Sequence, residues 1–133
     1  MNRLQAIGSA IAASSLAACM HGQAPLANPS SIITVDRGYE GVYLALLKDA
    51  RRCYPATGGT GQREVNGTLD GPARSAKVTF SFRSTSAQET FMTADIRSTG
   101  PTSTLVEVHA APGWEPHVKA LRGWVDGTSS ACA

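Results

Sequence analysis

The sequence predicts an α+β domain, a two-layer sandwich in which a four-stranded antiparallel meander is flanked in the chain by two helices, in the order α-β-β-β-β-α. Two periodicities and the spacing between them predict it. Apolar residues recur at three- and four-residue steps from Tyr39 to Cys53 and again from Trp114 to Val125, while between these stretches apolar and polar residues alternate. The alternating runs are separated by short connections, which join neighbouring strands in antiparallel order. Two helices with one apolar stripe each, and a sheet with one wet face, bury all three apolar surfaces when the helices cover the same side of the sheet.

The first helix carries Tyr39, Val42, Tyr43, Leu46, Leu47, Ala50 and Cys53 on its apolar side, with Asp36 expected as its cap and Pro55 just past its end. Arg51 and Arg52 fall in the last turn, where cationic side chains complement the helix dipole. The following Gly58-Gly59-Thr60-Gly61 is a loop; it lacks the Gly-Lys-Ser/Thr ending that a phosphate-binding loop needs. Val65, Gly67 and Leu69 mark a first strand, turned at Asp70-Gly71 into a second in which Ala76, Val78, Phe80 and Phe82 alternate with Lys77, Thr79, Ser81 and Arg83. Thr90, Met92, Ala94 and Ile96 form the inward set of a third strand, Thr104, Val106, Val108 and Ala110 that of a fourth, and Gly100-Pro101 lies between them. In the second helix Trp114, Val118, Leu121, Trp124 and Val125 share a side; Pro116 is tolerated in the first turn and Gly127 suits the stop.

The chain has 133 residues, enough for one small core, and a formal net charge of +2. No stretch concentrates Lys and Arg as a phosphate-binding surface requires, so nucleic acid is not an expected partner.

Met1-Asn2-Arg3 followed by the uncharged Leu4 to Leu16 reads as a secretory leader, too short for a permanent membrane helix. Its end, Leu16-Ala17-Ala18-Cys19, resembles the lipobox of bacterial lipoproteins, which implies cleavage before Cys19 and lipid on that cysteine. The expected organisation is therefore a signal peptide over 1–18, a lipid-anchored tether over 19–33 and a domain over 34–133. The tether contains Pro25 and Pro29, no apolar periodicity, and His21, which reads as solvated. Met20 stands where an aspartate would resemble an inner-membrane retention signal, so the expected location is the outer membrane, facing the periplasm. The membrane, reached through several acyl chains, is the first expected partner.

If Cys19 carries lipid, the three cysteines leave Cys53 and Cys132 as a pair. An oxidising compartment lets them form a disulfide, and closing a loop of about 80 residues stabilises by roughly 4 to 5 kcal/mol in the chain-entropy model. Two distant cysteines without further ligands do not make a tetrahedral zinc site, and no metal or other cofactor is expected.

Catalytic patterns are sparse. His109 beside Glu107 reads as a polar pair on the wet face of its strand, and Glu115-Pro116-His117 as a helix start with a favourably placed acid. Asp95 and Glu107 lie on neighbouring strands rather than in a deep cleft of paired carboxylates. The serines match neither a Gly-x-Ser-x-Gly elbow nor a Ser-x-x-Lys arrangement, and Asn66-Gly67-Thr68 is a chance glycosylation pattern. No enzyme is expected.

The lipobox, the helix end Ala50-Arg51-Arg52-Cys53-Tyr54, the meander, and Trp124-Val125-Asp126-Gly127 with Cys132 together resemble a group of small proteobacterial lipoproteins. The resemblance implies an envelope lipoprotein with a paired cysteine and brings no activity with it. The order of helices and strands is similar to helix-grip modules, found in envelope assembly factors and lipid-binding domains, but fold alone does not fix function. The expected role is structural, or interaction with another envelope protein. The alternative is a module for lipids or small molecules, its groove lined by Phe80, Phe82, Met92, Trp114 and Trp124. Against that alternative stands the commoner use of such residues as core.

Overall fold

In the computed structural model, residues 29–133 are described, and they form one antiparallel sheet of five strands with two helices. The leader over 1–18, the lipidation site Cys19 and the first part of the tether lie outside the described residues. The elements are β1 (Ser31–Val35), α1 (Tyr39–Cys53), β2 (Gly61–Asp70), β3 (Ser75–Ser84), β4 (Gln88–Gly100), β5 (Ser103–Ala110) and α2 (Glu115–Asp126). The sheet order is β1-β5-β4-β3-β2. The α+β class stands, with the expected meander running from β2 to β5.

One strand is added. Residues 31–33, expected in the tether, begin β1, which pairs antiparallel with β5 from Ser31↔Val108 to Val35↔Thr104. Only Ile33 is buried, at 3 % exposure, while Ile32 is 55 % exposed. Five residues with a single fully buried side chain give too short an alternation to stand out beside Pro29. The chain entering β1 is fixed as well: the Ser30 amide donates to Val108 O at 2.6 Å, and the Ala110 amide to Ser30 Oγ at 3.2 Å.

The start of α1 also differs from expectation. Gly38 is the N-cap and no side chain caps the helix, so Asp36 does not perform that role. The turn into the helix is held instead by a buried hydroxyl, Thr104 Oγ1, which donates to Arg37 O at 2.6 Å. From there α1 crosses from β1 at one edge of the sheet to β2 at the other.

Both helices lie against one sheet face. Val42, Leu46 and Ala50 of α1 and Leu121, Trp124 and Val125 of α2 are closed from solvent with Val78, Met92, Ala94, Ile96, Val106 and Val108 of the sheet. At Gly67 a Cβ would sit 2.5 Å from the Tyr43 hydroxyl oxygen, so glycine lets α1 settle on β2. The opposite face carries cross-strand ion pairs, Lys77–Asp95 at 3.0 Å and Arg97–Glu107 at 2.8 Å.

Cys53 and Cys132 form a disulfide with Cα atoms 5.4 Å apart, joining the end of α1 to the segment after α2. That segment is also held by Trp124 Nε1, which donates to Ala131 O at 2.9 Å, and by Arg52, which donates to Ser130 O.

A β-bulge breaks the alternation in β3 and β4. Phe80 pairs with Met92 and Ser81 with Thr90, which leaves Phe91 as an extra residue on β4. The expected inward rows therefore end early. Thr90 shares a row with Ser81 rather than with Met92, and Phe82, 38 % exposed, lies beyond the core.

Candidate functional site

Beside the bulge lies a cleft of about 560 Å³ at one end of the sheet, between β2, β3 and β4, the end of α1 and the start of α2. Its apolar lining is Tyr54, Val65, Phe80, Phe82, Phe91 and Trp114; Arg63, Glu64, Ser81, Glu89 and His117 add polar groups. Each is placed by a local feature of the chain. Tyr54 is the C-cap of α1, fixed by its amide donating to Ala50 O at 2.8 Å and by the neighbouring disulfide. Trp114 is the N-cap of α2 and His117 lies in its first turn.

The rings interlock. Phe91 and Trp114 stack with centroids 5.1 Å apart and planes within 9°, and Tyr54 meets Phe80 edge to face at 5.4 Å. On its other side Trp114 is near Tyr54 at 6.1 Å and His117 at 4.3 Å. Tyr54 Oη is hydrogen-bonded to His117 Nδ1, which joins the two helix ends. Burial pushes the Tyr54 phenol up and the His117 imidazolium down from their ordinary ranges, a direction that favours the neutral form of each.

At the mouth, Arg63, Phe82 and Glu89 are register partners on three adjacent strands and so share one face. The Phe82 ring lies over Gly61, where any Cβ would overlap it. Glu64 is paired with Arg83 at 3.4 Å. Ser81 is 5 % exposed, and its Oγ has no hydrogen-bond partner.

Of the five groove residues expected from sequence, Phe80, Phe82 and Trp114 line the cleft. Met92 and Trp124 do not; they are core, at 0 % and 2 % exposure. Tyr54, Phe91, Arg63 and Glu89 were missed. A signal for Phe91 exists in the adjacent pair Phe91-Met92, since two large apolar residues in succession cannot both follow a two-residue alternation. Tyr54 sits past the helical stripe, and nothing in its spacing points toward α2.

His109 lies on the wet face with its Nε2 3.8 Å from Asp95, while Glu107 is held by Arg97. Among the described residues no three His, Cys, Asp or Glu side chains are grouped to hold a metal ion, and no helix is long and apolar enough to cross a membrane. No protein-family model matches the chain, and no curated protein matches it either.

Proposed function

We propose that the chain is an envelope lipoprotein, anchored through Cys19 at the outer membrane facing the periplasm, whose domain binds a small apolar molecule in the aromatic cleft without transforming it. The cleft carries this reading. Its volume of about 560 Å³ falls within the roughly 300–1,000 Å³ of small-molecule sites, and it has the mixture of apolar walls and few polar groups that such sites use. An open cleft beside a filled core supports binding over the docking role expected from the sequence. Catalysis finds little support in the same residues: His117 is engaged by Tyr54, Glu64 by Arg83, and the Ser81 hydroxyl has no base to activate it.

The test is fluorescence titration of N-phenyl-1-naphthylamine, an uncharged apolar probe, into the exported Cys19→Ser chain in detergent-free buffer. Saturable enhancement at one site per chain, weakened at least about tenfold by Phe82→Glu, is expected, since a charge at the mouth opposes an apolar ligand. A flat titration, or one unchanged in Phe82→Glu, refutes the reading.

A further inference from the structure

The cleft and the entry of the chain lie at the same end of the sheet. Ser31 pairs with Val108, and β1 then runs toward Val35↔Thr104, so the residues before Ser31 arrive from the side of Ala110. Ala110 pairs with Met92, Met92 with Phe80, and Phe80 with Val65. The Phe80–Val65 end of that row lines the cleft, which continues outward through Phe82, Arg63 and Glu89. Whatever is attached to the N-terminal side of the domain is therefore attached at the cleft end.

Residues 20–28 separate Cys19 from the first described residue, Pro29. Fully extended they reach at most about 35 Å, comparable with the domain's own dimensions. With lipid on Cys19, a tether of that reach lets the cleft end, where the chain enters, meet the bilayer, while the turn at Asp70-Gly71 lies at the opposite end of the sheet. The cleft end presents the rings of Phe82, Phe91, Trp114 and Tyr54 together with Arg63, Glu89 and the Arg83–Glu64 pair, and Trp, Tyr and Arg are residue types that settle at a lipid–water boundary.

We infer that the ligand of the cleft is an acyl chain of a phospholipid from the membrane on which the protein is anchored. This rests on the binding role proposed above and adds its source. A single acyl chain matches the apolar walls of Val65, Phe80, Phe91 and Trp114, while Arg63 and Glu89 at the mouth meet the polar part of the lipid.

The mature lipidated protein is reconstituted in vesicles of phosphatidylethanolamine and phosphatidylglycerol in which one lipid carries bromine either near its headgroup or near the end of one acyl chain. Bromine quenches tryptophan only at close range, and Trp114 lines the cleft whereas Trp124 is buried in the core. The expected result is quenching by both lipids, the chain-end bromine at least as effective as the other, with the effect lost in Trp114→Phe and reduced in Phe82→Glu. Quenching by the headgroup-side bromine alone means surface contact without chain entry and overturns the inference. Quenching that persists in Trp114→Phe, or none at all, overturns it too; the latter is also the result if the cleft shelters the protein's own, unbrominated lipid. Saturable naphthylamine binding by the Cys19→Ser chain alongside absent bromolipid quenching leaves the binding role standing and removes only the membrane source.

Discussion

At the scale of single residues, the fold depends on a few contacts whose tolerance is far below the size of a methyl group. Gly67 is one: a Cβ there meets Tyr43 Oη at 2.5 Å and Leu47 Cδ1 at 3.0 Å. Gly67→Ala is expected to cost about 1–3 kcal/mol in urea unfolding through overpacking, and Tyr43→Phe in the same chain to recover part of that loss by removing the oxygen. Additive losses in the double variant would show that the contact is not the cause. Thr104 and Tyr54 illustrate a second kind of residue, polar groups whose partners come from distant chain. Thr104 reads as one member of an inward apolar row, and its hydroxyl donates to Arg37 O, holding the turn into a helix that no side chain caps. Tyr54 and His117 are 63 positions apart, and each reads as an ordinary helix-end residue until the fold brings them together.

Among the elements, both helices and β5 were legible from their periods, β3 and β4 from the alternation up to the bulge, and β2 from Val65, Gly67 and Leu69 ahead of the Asp70-Gly71 turn. β1 was not, since one buried side chain in five leaves no pattern to read. The cleft was half legible. Phe80, Phe82 and Trp114 are large residues on readable faces, but the opening lies beside a bulge that changes which face each neighbour takes. Removing Phe91 tests the bulge as a unit: the deletion leaves Phe80↔Met92 and Ser81↔Thr90 directly consecutive, restoring regular pairing. The deleted chain is expected to keep its circular-dichroism spectrum and cooperative unfolding while losing naphthylamine binding, because the Phe91–Trp114 stack is gone. Retained binding would place the ligand elsewhere.

For the whole molecule, the disulfide closes β2 to β5 and α2 into one loop, with Cys53 and Cys132 separated by 79 positions. The core is continuous from α1, outside that loop, through the sheet to α2 within it, so the bond adds stability to a fold that the apolar contacts already define. Cys53→Ser with Cys132→Ser is expected to lower unfolding free energy by about 3–5 kcal/mol with native secondary structure retained in the absence of denaturant, as followed by urea titration. A loss below about 1 kcal/mol would mean that the denatured chain is already compact enough for the crosslink to restrict little.

The pairing of β1 with β5 also has a mechanical meaning. Tension on the chain upstream of Ser31, drawn along the strand axis, acts on all five residue pairs from Ser31↔Val108 to Val35↔Thr104 at the same time. They are loaded in shear, and none can yield alone as it would if the strand were peeled sideways. A pull from the N-terminal side is therefore spread across β5 into the centre of the sheet, so that the strand hardest to recognise in the sequence becomes the fastening by which the domain bears force.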